Sequence, residues 1–191
     1  MCEKNIFQIT YRRVLKRYKL LKGIDNFKNF FIDSTMIKNV QGSEKVGPNH
    51  YDRNKNGTKV TAIVDDLGAP MCFNINKANE SDVKITIPIM KKLKFDNVNV
   101  ISDKGYICLE NKTILSKKGI NLIYPYRRNQ NLKNIASEIV LMRKRNIVEI
   151  FFSWFKQFRR IRNRYDRKII CYKNFVLLGL TYIVYRKYKE L

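Results

Sequence analysis

Residues 145–166, RNIVEIFFSWFKQFRRIRNRYD, hold no proline and no glycine. Their apolar residues recur at helical intervals, so the segment reads as one helix, running from about residue 135 to residue 163. With Glu149 at the origin and about 100° per residue, Arg145, Ser153, Lys156, Arg160 and Asn163 fall within about 40° of it. Ile147, Phe151, Trp154, Phe158, Ile161 and Tyr165 gather on the opposite side. Taken alone, this is a helix that packs by an apolar face and shows solvent a basic one. A single carboxylate set in a row of cations is the feature that asks for partners elsewhere in the chain.

Two other acids stand in settings that could supply them. Residues 29–35, NFFIDST, form an apolar run that reads as a strand and ends on Asp33. Residues 97–102, NVNVIS, alternate like a strand and lead into Asp103, two residues before Gly105. Acids at the ends of adjacent strands converge at one edge of a sheet, and a helix laid on that edge by its apolar face can bring Glu149 to the same point. Three carboxylates suit hard divalent cations such as Mg²⁺ or Mn²⁺. Two such ions about 3.5–4 Å apart would activate a water or a 3′-hydroxyl for in-line phosphoryl transfer. Plainer readings stand beside this one: Asp33 before Ser34-Thr35 and Asp103 before Gly105 also suit turn caps. Asp65 and Asp66, in D-D-L-G between the strand-like runs 59–64 and 69–75, read as residues of a hairpin turn.

The remaining segments fill in a sheet with helices around it. Residues 6–22 form a basic helix ended by Gly23, and residues 38–58 are loop-like, punctuated by Gly42, Gly47-Pro48-Asn49 and Asn56-Gly57. A helix over 83–93 is expected to kink or break at Pro88. A helix over 108–117 ends at Gly119, residues 120–124 read as a strand, Pro125 opens a basic stretch to Lys133, and a last helix covers 173–187. This order of elements predicts an α/β fold with a mixed sheet flanked by helices.

The formal net charge of +23, from 39 Lys and Arg against 16 Asp and Glu, repels itself unless a polyanion shares it. Nucleic acid is the first partner to expect, because phosphate contacts release counterions; an anionic membrane is the weaker choice. Cys2, Cys72, Cys108 and Cys171 are scattered and His50 is the only histidine. That pattern excludes a zinc site of usual spacing and any mechanism needing two histidines, and it suits reduced thiols in a cytosolic or nuclear setting. The N-terminus has no signal-peptide pattern. The most apolar late run, residues 175–185, is too short to span a bilayer.

Together these residues resemble the catalytic domain of DDE transposases of the bacterial insertion-sequence type, in the insertion-sequence-five and insertion-sequence-four groups. IDST carries the first acid, ISDKGY the second, and residues 145–166 the third. The run from Gly47-Pro48-Asn49 through Gly57-Thr58-Lys59 and the hairpin to Ala78-Asn79-Glu80-Ser81-Asp82 is also similar. Arg145, Glu149 and Lys156 keep the spacing of the family's Tyr-Arg-Glu-Lys motif, whose Tyr position falls on Met142.

The resemblance implies a ribonuclease-H-like mixed five-stranded sheet over residues 29–191, preceded by a basic helical remnant of an N-terminal DNA-binding region at 1–28. It implies cleavage at transposon ends and strand transfer, with Asp33, Asp103 and Glu149 as catalytic metal ligands for Mg²⁺ or Mn²⁺, two ions in all. Arg145 and Lys156 would meet DNA near the cleaved phosphate, and Arg159, Arg160, Arg162 and Arg164 would hold its backbone. Double-stranded DNA would be the partner and the enzyme a homo-oligomer on it, without a membrane, in the cytoplasm at the nucleoid or, in a eukaryotic host, in the nucleus. The short lead-in before Asp33 implies a truncated copy or one product of a frame broken in two, with base-specific reading weakened. The rival expectation is a non-catalytic DNA-binding remnant, whose DNA affinity would be strongly salt-dependent and indifferent to Mg²⁺. A host nuclease on the same fold would leave the Arg145–Glu149–Lys156 row unexplained.

Overall fold

The computed structural model describes residues 6–50, 52–126 and 133–191. Its centre is β1 (Asn29–Asn39), whose Phe30, Phe31 and Ile32 have no exposed surface. A strand covered on both faces reads as a continuous apolar run rather than an alternating one, which is how NFFI appears in the sequence. On one side β1 pairs antiparallel with β3 (Lys55–Asp65), from Phe30↔Asp65 to Lys38↔Gly57. On the other it pairs parallel with β5 (Val98–Ile101), which pairs parallel with β6 (Ile120–Ile123). β4 (Pro70–Lys77) returns antiparallel on the far side of β3. The five main strands thus run β4-β3-β1-β5-β6, antiparallel then parallel, which is the ribonuclease-H-like order expected. Two short strands complete the sheet: β2 (Gly47–Asn49) pairs antiparallel with the start of β3, and β7 (Asn163–Arg164) pairs with the end of β1.

The first strand is longer than the expected 29–35, because its register with β3 holds to Lys38 and uses part of the segment read as loop. Asp33 is therefore a mid-strand residue, not the last of a strand. The helix over 83–93 is α2 (Asp82–Met90); it carries Pro88 in its last turn and runs two residues past it, so the expected break there does not occur. The helices α1 (Ile6–Lys22) and α3 (Leu109–Ser116) lie where expected, each followed by a glycine at positive φ, Gly23 and Gly119. The basic stretch after Pro125 falls largely outside the described residues, as does Cys2.

The long helix expected over 135–163 is instead three pieces: α4 (Ala136–Arg143), α5 (Asn146–Phe155) and α6 (Arg159–Arg162). No proline or glycine breaks it; tertiary contacts do. Phe158 is extended (ψ 109°), its ring edge-on to Tyr182. Ile161 is buried against Gly179 of α7 (Ile169–Lys189), where a Cβ would lie 2.5 Å from Ile161 Cδ1. Two residues later the chain has become β7. Local propensity yields where packing and strand pairing outweigh it. By length and composition alone the 21-residue α7 could cross a membrane, against the shorter run read from the sequence. In the fold it packs on α1, α5, α6 and β4 and buries Tyr172, Val176, Leu177, Leu180 and Val184.

α1 shares this core. Tyr11, Leu15 and Tyr18 are buried, and Asp65 ties the helix to the β3–β4 turn. The fully buried Asp65 carboxylate accepts from Tyr18 Oη (2.6 Å), Lys22 Nζ (2.8 Å) and the backbone N–H groups of Leu67 and Ala69. The D-D-L-G segment is the hairpin turn the sequence predicted, and its first acid also anchors the preceding helix.

Candidate active site

The sheet register brings the two aspartates together. Phe31 of β1 pairs with Ile101 of β5, and Asp33 and Asp103 each stand two residues further on. Neighbouring strands are about 4.8 Å apart, and residues i and i+2 share a face, so the two acids sit level on one side of the sheet. Asp103 follows the end of β5 and caps the turn Lys104–Tyr106, its Oδ1 accepting from Gly105 N–H at 2.8 Å. The capping role and the candidate ligand role therefore coexist on one side chain. Asp33 Oδ1 accepts from Ser34 N–H at 2.8 Å.

Helix α5 packs over β1 and β3. It does so through Val148, Phe151, Phe152 and Phe155, all buried, while Ile150 and Trp154 are about half exposed at 53% and 50%. The buried face thus lies beside Glu149 rather than opposite it, and Trp154, expected on that face, is outside it. The placement brings Arg145 and Glu149, one turn apart, over Asp33. Arg145 Nη1 donates to Asp33 Oδ2 at 3.1 Å, and its Nη2 donates to Glu149 Oε1. Among the described residues no three acids close on one point; the Arg145 guanidinium stands between Asp33 and Glu149.

The electrostatics of Asp33 suit a cation. Burial pushes its carboxyl above the usual carboxylate range, and the Asp103 charge pushes the same way; the Ser34 N–H and Arg145 pull it back. A half-buried carboxylate beside a second one is stabilised by positive charge, which Arg145 supplies in part. An all-oxygen donor set of this kind fits Mg²⁺ or Mn²⁺ and not a softer metal.

A hydrogen-bond network under the two aspartates was not read from the sequence. Ser34 Oγ lies 2.8 Å from Thr61 Oγ1 and 2.9 Å from Tyr106 Oη, and donates to Asp82 Oδ1 at 3.0 Å. The almost buried Lys59 donates to Asp82 Oδ1 at 3.1 Å and to the Glu80 carbonyl. Ser34, the residue after Asp33, and Tyr106, the third residue after Asp103, are thereby joined hydroxyl to hydroxyl. One signal was present: a lysine inside the β-branched run KVTAIV needs a buried anion, and Asp82 of the A-N-E-S-D run is that anion.

The expected DNA-contacting cations divide. Lys156, two turns beyond Glu149 on the same side of α5, is half-buried, and Arg159 and Arg162 are exposed. Arg160 is exposed, pairs with Asp166 at 2.7 Å and stacks over Phe175. Because the helix breaks after Lys156, Arg160 and Asn163 do not continue the row that begins at Arg145. Arg164 departs from expectation altogether. It is fully buried, donating to Thr58 Oγ1 (2.8 Å) and to the carbonyls of Glu44, Asp166 and Arg167. It holds the end of the β7 segment to the sheet and is closed to DNA. Among the described residues, Cys72 is buried, Cys108 and Cys171 are half-buried, and no disulfide joins them.

Comparison with known proteins finds transposases. A Burkholderia cepacia protein assigned as a transposase for insertion sequence element IS402 is 26% identical over 166 residues, covering 82% of this chain and 74% of its own. Among solved structures, piggyBac transposase in a synaptic complex with hairpin DNA superposes with a TM-score of 0.58 at 8% identity, over 84% of this chain. The chain spans 47% of that protein's length. The Mos1 transposase paired-end complex is more distant, with a TM-score of 0.44 and 13% identity over 96% of this chain and 59% of that one. The profile of the transposase DDE domain matches residues 28–184, nearly the whole of the sheet and its helices, and the chain belongs to that family.

Proposed function

We propose that the chain is the catalytic domain of an insertion-sequence transposase that cleaves DNA at the element's ends and joins them to target DNA, with Asp33, Asp103 and Glu149 as its catalytic carboxylates. The observation that supports this is that Asp33 of β1 and Asp103, just past the end of β5, each stand two residues beyond a parallel register pair, while Arg145 at the start of α5 links Asp33 to Glu149. Two divalent ions, Mg²⁺ or Mn²⁺, would be held by these three side chains and would supply activation of a water or 3′-hydroxyl and stabilisation of the leaving 3′-oxygen.

The chain's own residues do the rest. The Ser34–Asp82–Tyr106 network fixes the backbone on which both aspartates sit. Arg145, which bonds Asp33 and Glu149, would set positive charge beside the phosphate. Lys156, about 10 Å further along the helix, meets the same strand. Arg159, Arg160 and Arg162 hold the backbone without reading sequence. The DNA is duplex, and the enzyme acts on it as a homo-oligomer.

The test is Mg²⁺-dependent nicking of a duplex carrying the element's end. Asp103→Asn and Glu149→Gln should each lower cleavage by at least about 10²-fold, the loss of about 2.7 kcal/mol of transition-state stabilisation, while binding the duplex as the parent does. Parent-like cleavage by either variant would show that the acids are wrongly assigned.

A further inference from the structure

On the β4 side of the molecule, away from the acids, a groove has a different character from the rest of the surface. Its floor is the outer edge of β4, Met71 to Ile75, which among the described residues pairs only with β3. Arg12, Lys16 and Lys19 of α1, Lys92 and Lys94 beyond α2, and Lys173 of α7 line its walls. These cations come from three separate segments of chain, and the lining contains no Asp or Glu.

Most of the protein's described cations, like those of the groove, lack an ion pair; what sets the groove apart is their concentration in one acid-free trough. Among the described residues, Lys22, Lys55, Lys59, Arg145, Arg160 and Lys187 are all ion-paired, and none of the groove's cations is. Inside the groove like charges face one another. The Lys19 ammonium is pushed down mainly by burial and further by Lys94, and Lys92 by burial and Lys173. Two of the lysines have local duties: Lys92 bonds the Phe73 carbonyl on the strand edge, which blunts that edge against pairing, and Lys19 lies over the Phe95 ring. Arg12, Lys16 and Lys173 have no such contact among the described residues. An unneutralised cationic trough of this kind is stable beside a polyanion.

We infer that this groove binds the phosphate backbone of duplex DNA, as a second contact surface separate from the carboxylate site. It rests on the reading of the chain as a transposase domain only in taking duplex DNA, rather than another polyanion, as the occupant. β4 lies two strands from β1, about 10 Å at the usual spacing, with Phe73 in register with Ala62 and Ala62 with Asp33. The groove therefore grips DNA outside the scissile step and, through phosphates alone, without regard to sequence.

The experiment is a salt titration of binding to a random-sequence 30-base-pair duplex, in EDTA so that no cleavage occurs. The triple variant Arg12→Gln/Lys16→Gln/Lys173→Gln is compared with the parent and with Arg186→Gln/Lys187→Gln/Lys189→Gln, which removes the same charge at the far end of α7. The groove variant should lower the slope of log K against log salt by about 2–3, near 0.9 for each phosphate no longer neutralised. The comparator should lower it by less than about 1. Equal reductions in the two variants, or no reduction in the groove variant, would overturn the proposal. Lysine acetylation of the parent chain gives a readout that needs no variant: DNA should protect Lys16 and Lys173 and leave Lys187 and Lys189 open, and equal modification of the two pairs sinks the idea. Cleavage is read separately. A groove variant with the expected slope in a protein that shows no Mg²⁺-dependent nicking supports the groove and counts against the transposase reading. Active cleavage with an unaltered slope does the reverse.

Discussion

Arg162 and Arg164 stand two positions apart in one basic run, and their surroundings differ completely. Arg162 is exposed, whereas Arg164 is enclosed with four acceptors around its guanidinium. Burial lowers its pKa, the usual cost of enclosing a charge, and the hydrogen bonds offset that cost. Arg164→Ala should therefore destabilise the fold by about 3 kcal/mol, since it strands buried acceptors and opens a cavity. Arg162→Ala should change stability by no more than about 0.5 kcal/mol and weaken DNA binding instead. Urea melts of the two variants check this, and similar midpoints would place both residues on the surface. The sequence could not separate them, because RRIRNR looks uniformly basic until strand pairing decides which side chain points inward. Asp33 and Asp103 were legible for the opposite reason: an acid at the end of an apolar run is exceptional in any setting. Asp82 was not, because its partner Lys59 lies 23 residues away and only the sheet brings them together.

Helix α5 shows what periodicity resolves and what it leaves open. The spacing of Arg145, Glu149 and Lys156 placed them correctly on one side, and the helix exists. The direction of the core was misjudged by about a quarter turn, because FFSWF offers apolar residues almost all round and only the sheet selects among them. Phe152 and Phe155 face β1 and β3; Ile150 and Trp154 face solvent beside Tyr182 and Arg186, with Arg186 over the Trp154 ring. This changes which aromatic holds Glu149 in place. Phe152→Ala should cost about 3–5 kcal/mol and, in the folded fraction, lower nicking by letting the first turns of α5 shift. Trp154→Ala should leave stability within about 1 kcal/mol and nicking near the parent. Thermal melts with single-turnover nicking on both proteins separate the two, and a Trp154→Ala protein as impaired as Phe152→Ala would contradict the packing described. The end of the helix was illegible for a similar reason. Its break is imposed by Gly179, Tyr182 and the end of β1, which belong to parts of the chain distant in sequence.

At the scale of the whole molecule, the antiparallel-then-parallel sheet followed from the resemblance of its motifs, and the mixed sheet flanked by helices from the alternation of strands with helices. β2 and β7 were missed: two or three residues are too few to carry a period. The charge was plain from the outset, and the fold shows how little of it is neutralised internally. The ion pairs at Asp52 and Glu190 are exposed, each worth about 0–1 kcal/mol, and salt weakens them. Against them stands the mutual repulsion of a net +23, which salt screens as the Debye length falls below about 10 Å. The second effect is the larger, since it sums over many more pairs than the first. Raising NaCl from about 50 to 300 mM should therefore stabilise the protein by about 1–2 kcal/mol, a rise of about 3–6 °C in Tm. Duplex DNA at low salt should do more, about 2.7 kcal/mol at a hundredfold excess over its Kd, because it binds the folded surface and not the unfolded chain. Differential scanning calorimetry across a salt series, with and without duplex, measures both. A Tm that falls with NaCl would mean that the internal ion pairs outweigh the repulsion, and the charge could then no longer be read as held in reserve for a polyanion.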